Sequence, residues 1–193
     1  MPPWSDRRAL ELLHITVPIV QAPMAGAQGV ELAIAVSRAG GLGSLPCAML
    51  TPAQVAEQVA AFRAASGGPL NLNFFCHQPP EADDTREQAW RERLAPFYRE
   101  LGIDPAAPIP VSNRAPFDAA FCEVVEALRP EVVSFHFGLP APDLLARVKA
   151  SGAVVLSSAT TVDEARWLAQ HGCDAIIAQG SEAGGHRGLF LND

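Results

Sequence analysis

The chain has 193 residues, enough for one domain with a sizeable core, and 49% of them are hydrophobic, as in globular proteins. Fourteen basic residues stand against 21 acidic ones, a net charge of −7 with no basic cluster, which disfavours nucleic acid as a partner. The cysteines form no Cys-x-x-Cys pair, which argues against a zinc site or a disulfide framework. No run reaches the roughly 18 apolar residues of a membrane span, so we expect a cytoplasmic protein with no membrane partner.

Short apolar runs alternate with amphipathic stretches, a pattern typical of a parallel sheet with crossover helices. Six strands are predicted, at residues 18–23, 42–45, 70–75, 132–137, 154–158 and 175–179. The last strand is apolar on both faces, which indicates a buried parallel strand. Helices are predicted at residues 30–39, from 51 onward, at 85–101, 117–128 and 143–151, and from 161 towards 171. Thr51 before Pro52 and the capping box from Thr161 to Glu164 mark two of the helix starts.

Six such strands fit either an open doubly wound sheet or most of a closed eight-stranded barrel. Polar or glycine residues follow the first, third, fourth and sixth strands, as in a barrel that gathers its site at one face. The Gly-x-Gly-x-x-Gly turn of a nucleotide-binding open sheet is missing after the first strand. We therefore predict an α/β fold, a (β/α)8 TIM-type barrel with six of its eight strands present. Residues 1–193 would form one incomplete barrel domain, with an extra helical segment within residues 77–131.

The loop at residues 179–188 carries the foremost candidate for chemistry. It follows an apolar strand, its glycines open backbone amides to a ligand, and His186 is placed to move a proton beside them. The alternative is a glycine-rich turn with a solvated histidine. Glu182 could orient His186 or bind cofactor hydroxyls, although a surface carboxylate is the plainer interpretation.

Two earlier strand ends offer small or polar side chains. Residues 21–26 put small residues and a rigid proline where a planar cofactor could lie, with a tight strand-to-helix turn as the alternative. Asn71 and Asn73 lie two residues apart and therefore share one face of their strand. An amide there can both donate to and accept from a heterocycle.

The fourth strand contributes His136, which shares a face with Ser134, whereas Phe135 and Phe137 are predicted to point to the other face. The alternative is a core histidine whose ring is satisfied by its neighbours. The remaining histidines have no comparable setting and receive no role: His14, His77 and His171. No His-x-x-x-His or similar set predicts a metal site.

Four segments occur in a fixed order: residues 18–26, 32–44, 136–140 and 179–188. Together they resemble the nitronate monooxygenases, once called 2-nitropropane dioxygenases, which are FMN-dependent barrels. The first two segments are shared with related flavin barrels, including enoyl and quinone reductases. The last two, His-Phe-Gly-Leu-Pro and the glycine-rich loop with His186, are similar to the nitronate-oxidising class.

This resemblance implies an enzyme that oxidises alkyl nitronates, such as propionate 3-nitronate, with dioxygen to a carbonyl compound and nitrite. His186 would be the catalytic base, and His136 would help to hold the substrate. The residues that match FMN contacts of the family are Ala22, Pro23, Met24, Asn73, Gln179, Gly180 and Gly185. The redox chemistry would belong to the flavin.

The chain departs from the family in its length, because six strands do not close a barrel of eight. Loops after the seventh and eighth strands usually bind the cofactor phosphate in such barrels, so we expect this chain to be part of a longer protein. Two alternatives stay open. One is an FMN barrel that takes hydride from NADH or NADPH and reduces an enoyl thioester or a quinone, and the other is a truncated chain without catalysis.

Overall fold

The computed structural model describes residues 5–79, 81, 83–104, 106–107 and 114–191. In chain order its helices and strands are α1 (Arg8–Leu13), α2 (Val30–Arg38), β1 (Gly43–Pro46), α3 (Pro52–Ala65), β2 (Leu70–Phe75), α4 (Asp84–Glu100), α5 (Ala119–Leu128), β3 (Val132–His136), α6 (Pro142–Ala150), β4 (Val154–Ala159), α7 (Val162–Gln170) and β5 (Ala175–Ala178). A 3-10 turn, Cys47–Met49, follows β1. Within the described ranges, no helix is long and apolar enough to cross a membrane.

The chain divides into two compact units. The first comprises Met1–His77 and Arg114–Asp193, and the second comprises Gln78–Asn113. The second unit contains α4, whose Arg91 donates from Nη1 to the backbone oxygen of Ala107 at 3.0 Å. The first unit contains the whole sheet and every residue predicted for the site.

The five strands are all parallel and are hydrogen-bonded in the order β1-β2-β3-β4-β5. Each strand lies beside its predecessor in the chain, so the sheet winds in one direction without reversal. A doubly wound sheet reverses direction at its switch point, whereas a barrel adds its strands in sequence. The topology therefore favours the predicted barrel over the open doubly wound sheet.

The first predicted strand, residues 18–23, is wrong as a regular strand. Its pairing is a single parallel bridge between Val20 and Leu42. Pro18 and Pro23 bound this segment, and a proline has no N–H to donate to a ladder. The Gln21 side chain continues the pairing instead, because its Oε1 accepts from the Ser44 N–H at 3.1 Å and its Nε2 donates to the Ser44 oxygen at 3.2 Å.

Side-chain capping fixes the start of the predicted helices at 51 and 161. Both α3 and α7 begin with a complete capping box, in which Thr51 pairs with Gln54 and Thr161 pairs with Glu164. Helix α1, which has six residues, was not predicted. So short a helix carries too few periodic positions to be recognised from sequence.

The two faces of the sheet have different partners. The outer face packs against α2, α3, α5 and α6 in one hydrophobic cluster, whose members include Leu45, Val55, Phe62, Leu72, Phe74, Phe121, Phe135 and Val155. On the inner face, Leu42, Val132 and Leu156 pack with three buried residues at α1, namely Leu10, Leu13 and Ile15. Helix α1 therefore covers the amino-terminal half of the inner face.

The strand β5 was predicted to be buried, and this is wrong for the described chain. Ile176 and Ile177 are 36% and 42% exposed. Within the described residues β5 pairs with β4 alone, so it forms an edge of the sheet. Its apolar composition is that of an interior strand, but burial needs a neighbour on each side.

Helix α2 approaches β1 at Gly43, and this approach gives a test of the packing. A Cβ atom added to Gly43 would collide with the backbone carbonyl of Ala33. Because backbone cannot swing aside as a flexible side chain does, we expect Gly43→Ala to lower the free energy of unfolding by about 1–3 kcal/mol. Urea denaturation measures this change. Gly67→Ala is the control, since an added Cβ there meets nothing within 4 Å, and an equal loss in both variants would contradict the packing argument.

Candidate active site

The inner face of the sheet changes from apolar to polar towards the carboxyl ends of the strands. Its polar side chains are Ser44, Asn71, Asn73, Ser134, His136, Ser158 and, just beyond β5, Gln179. The register places Ser44 beside Asn71, and Asn73 beside Ser134. Asn71 therefore shares a face with Asn73, as predicted. We call this set of side chains the polar rim.

Hydrogen bonds link the polar rim across the strands. Asn71 donates from Nδ2 to Ser44 Oγ at 3.0 Å, and Asn73 donates from Nδ2 to Ser134 Oγ at 2.9 Å. Among the residues that the structure describes, two buried side-chain carbonyl oxygens lack a partner, Asn71 Oδ1 and Gln28 Oε1. A buried acceptor without a donor is costly, so it indicates a place where a ligand or a water molecule supplies the missing hydrogen.

The chain turns sharply after β3. Phe137 and Gly138 both have positive φ angles, 67° and 90°. This turn ends the strand alternation, so the predicted placement of Phe137 on the outer face is wrong. Its ring lies 5.2 Å from the Phe75 ring, on the side of the polar rim, whereas Phe135 packs against Phe117 in the outer core.

The loop after β5 is held through the backbone oxygen of His186. His136 Nε2 lies 3.0 Å from this oxygen, and Gln179 Nε2 donates to it at 2.9 Å. A carbonyl oxygen can only accept, so Nε2 of His136 carries the hydrogen. Gln179 also accepts from the Gly188 N–H through Oε1 at 2.7 Å. One glutamine side chain therefore bridges the loop from its first residue to both His186 and Gly188.

Gly188 allows the loop to approach His136 closely. A Cβ added at this position would lie 2.8 Å from Cε1 of His136 and 3.3 Å from Cβ of Ser158. Any larger residue would push the loop away from the polar rim. The glycine at the end of the motif is thus required by packing against the histidine at the end of β3.

Five rings gather at the polar rim, to which the His136 ring itself belongs: Phe75, His77, His136, Phe137 and His186. The His186 ring is exposed, with its centroid 5.5 Å from that of Phe75 and 6.1 Å from that of Phe137. No role was predicted for His77, yet its ring lies 6.2 Å from the Phe137 ring and its buried Nδ1 has no partner in the described part of the chain. The sequence did contain one signal for this placement: His77 lies two residues after Phe75, just beyond the end of a predicted strand.

The predicted cofactor residues fall into two groups. Asn73 is buried and Gln179 is half-buried on the polar rim, while Gly180 and Gly185 lie exposed in the loop after β5. The second group follows Gln21 at the opposite edge of the sheet, where Ala22 and Met24 are exposed and Pro23 is half-buried. Asn73 lies on β2, next to the edge strand β1 with which Gln21 pairs, whereas Gln179, Gly180 and Gly185 follow β5 at the other edge.

A family model described as nitronate monooxygenase matches residues 7–193. The chain belongs to the nitronate monooxygenase family. Curated nitronate monooxygenases of Paraburkholderia phytofirmans and Pseudomonas aeruginosa are 44% and 42% identical to it, over 97% and 95% of this chain. It covers 51% and 52% of those proteins, so the chain spans about half the length of the curated relatives it matches. The predicted resemblance is confirmed.

Solved structures agree with this assignment. A nitroalkane oxidase from Streptomyces ansochromogenes has a TM-score of 0.83 and 35% identity, over 95% of this chain and 51% of that one. FabK from Thermotoga maritima has a TM-score of 0.67 and 25% identity, over 95% of this chain and 47% of that one. The predicted α/β barrel class is confirmed, with five parallel strands of the barrel in the described chain.

The nitronate monooxygenase family and its nitroalkane oxidase neighbour imply a flavin cofactor in general terms. The residues of the polar rim fit such a group. Asn71 Oδ1 is a buried acceptor without a donor, which an N–H of a flat heterocycle could supply. Ala22, Gly180 and Gly185 are exposed and have little or no side chain, so a planar ring could lie against their backbone.

The charge state of His136 is open to measurement. Burial lowers the pKa of His136 from its ordinary value of 6.5, the hydrogen bond to the His186 oxygen opposes this, and the nearby His186 ring adds to the lowering. We expect an NMR titration of the His136 ring to have its midpoint below 6.5.

The sign of the accompanying stability change follows from linkage. Below the ordinary pKa the unfolded chain binds a proton that the folded chain does not, so folded stability falls as pH decreases between the two pKa values. His136→Gln should remove this part of the pH dependence of unfolding. A midpoint above 6.5 would contradict the assigned burial of the ring.

Proposed function

We propose that the protein containing this chain oxidises alkyl nitronates, such as propionate 3-nitronate, with dioxygen to a carbonyl compound and nitrite, with FMN as cofactor. The observation that carries the proposal is the loop after β5, held by His136 and Gln179 so that His186 stands above the polar rim. The family membership supports the same reaction class. No metal is part of the proposal.

The residues proposed to hold FMN are the seven that match the family: Ala22, Pro23, Met24, Asn73, Gln179, Gly180 and Gly185. Backbone amides beside small residues can approach a flat ring, and the side-chain amides can bind its polar edge. When bound, FMN would supply the electron transfer, while the protein orients the substrate and handles protons.

His186 is proposed as the catalytic base. The hydrogen bonds that hold this residue use its backbone oxygen, and its ring is exposed beside Phe75. A histidine fixed through its main chain keeps its ring nitrogens available for proton transfer. Histidine is the side chain that enzymes use most often for this kind of proton transfer.

His136 is proposed to hold the substrate anion, although its Nε2 already donates to the His186 oxygen. A neutral imidazole has a single N–H, so a second donor requires a protonated ring. A negative charge nearby favours that protonated form, against the lowering caused by burial. A bound nitronate would therefore favour protonation of His136, and the protonated ring would donate its second N–H to the nitronate.

His186→Ala in the complete protein tests the proposed base. We expect kcat/KM to fall by about 10²–10⁴-fold, the usual contribution of a general acid or base. Oxygen consumption and nitrite release with propionate 3-nitronate and with a neutral nitroalkane measure the change. His14→Asn is the control, because His14 is exposed with a left-handed backbone that asparagine tolerates. Unchanged turnover in His186→Ala would refute the assignment.

A second candidate is an FMN-dependent enoyl or quinone reductase that uses NADH or NADPH. The similarity to FabK from Thermotoga maritima, at a TM-score of 0.67, is the observation in its favour. The higher TM-score of 0.83 with the nitroalkane oxidase favours nitronate oxidation over the reductase activity. We expect bound flavin to be reduced slowly, or not at all, when NADH or NADPH is added without oxygen. Rapid bleaching of the flavin absorbance would instead support the reductase.

Flavin binding tests the third candidate, a chain without catalysis. The proposal requires the complete protein to hold FMN at micromolar concentration, which fluorescence quenching of added FMN measures. Failure to hold flavin would support the third candidate and would rule out both enzymes.

A further inference from the structure

Glu164 is a fully buried carboxylate, 0% exposed, in the first turn of α7. Its Oε2 accepts from the N–H of Thr160 at 2.6 Å, from the Thr160 hydroxyl at 2.8 Å and from the N–H of Thr161 at 3.2 Å. These contacts complete the capping box of α7. A capping box accounts for only one of the two carboxylate oxygens.

The other oxygen of Glu164 binds the far end of the loop that carries His186. Oε1 accepts from the N–H of Phe190 at 2.8 Å and from that of Leu191 at 3.4 Å. Burial alone raises the pKa of this carboxyl, but the backbone and hydroxyl donors outweigh it and hold the pKa below its ordinary value. The group is therefore ionised near neutral pH, where hydrogen bonds to it are stronger than those to a neutral acceptor.

The Phe190 side chain reinforces the same attachment. Its ring lies 5.4 Å from that of Trp167 on α7. A Cβ added to Gly138 would lie 3.1 Å from Cδ2 of Phe190, so this ring also packs on the turn that follows His136. The end of the loop is fixed to α7 and to the β3 turn together.

We propose that Glu164 is a positioning residue: by binding the backbone amides of Phe190 and Leu191, it fixes the far end of the loop and thereby places His186 above the polar rim. Gln179 holds the near end of the same loop. This inference rests on the proposed role of His186, but the attachment itself can be measured without any turnover. A glycine-rich loop needs two fixed ends to hold one ring in place, since its own residues restrict it little.

Hydrogen exchange of backbone amides in the complete protein, with and without added FMN, tests the attachment. Glu164→Gln replaces one acceptor oxygen with a donor, so we expect the amides of Gly188, Phe190 and Leu191 to exchange at least about tenfold faster. If Glu164→Gln does not fold, Glu164→Asp gives the same comparison, because its side chain is shorter by one methylene.

Two controls separate attachment of the loop from capping of the helix. Thr161→Ala removes the hydroxyl that caps the Glu164 N–H but keeps the carboxylate, so it should speed exchange only in the first turn of α7. Asp163→Asn alters the neighbouring exposed carboxylate, which pairs with Arg166, and should leave the loop unchanged. If Thr161→Ala loosens the loop as much as Glu164→Gln does, or if Glu164→Gln leaves the loop amides unchanged, the proposal is overturned.

Turnover per bound flavin gives the second measurement. A residue that only stabilises the fold would reduce the amount of active protein and leave kcat per bound flavin unchanged. We expect Glu164→Gln to lower this kcat about tenfold or more with propionate 3-nitronate, and Thr161→Ala to leave it unchanged. An unchanged kcat in Glu164→Gln would refute positioning of the base. If His186→Ala is fully active, the proposed function fails, whereas the exchange result still decides the attachment.

Discussion

The candidate site depends on the position of one backbone oxygen, that of His186. Two side chains from different strands donate to it, His136 from the end of β3 and Gln179 from the end of β5. Both lie on the inner face of the sheet, so the spacing of the strands determines where the loop can sit. The close approach of Gly188 to His136 leaves no room for a side chain at that position of the loop. A rigid sheet thereby sets the place of an exposed ring.

The use of main-chain rather than ring contacts to hold His186 has a chemical consequence. If the ring itself made the structural hydrogen bonds, one tautomer would be fixed and a nitrogen would be lost to proton transfer. Here the backbone oxygen of His186 and the amides of Gly188 and Phe190 make the attachments. The loop is thus ordered through its main chain, which leaves the proposed role of the His186 ring compatible with a fixed loop.

Local signals allowed much of the fold to be predicted, and long-range contacts account for the errors. The helix starts at Thr51 and Thr161 follow from capping boxes that lie within four residues of sequence. The first predicted strand failed because prolines bound a segment whose pairing depends on a side chain, Gln21. The prediction that Phe137 points to the outer face was wrong because a left-handed turn interrupts the alternation of side chains along β3. The double role of Glu164 joins residues 26 positions apart, which no local pattern reveals.

Along the inner face of the sheet, apolar residues that stabilise the fold give way to the polar residues of the candidate site. Near α1 the side chains Leu42, Val132 and Leu156 are apolar and buried, so substitutions there should affect folding. Asn71 lies beside Val132 in the strand register, and its buried Oδ1 has no partner among the described residues, at a cost of about 1–3 kcal/mol for an unsatisfied acceptor. An apolar residue would avoid that cost and would extend the hydrophobic layer. The amide keeps one cross-strand hydrogen bond, to Ser44 Oγ, and leaves its oxygen open to a donor from a ligand or a water molecule.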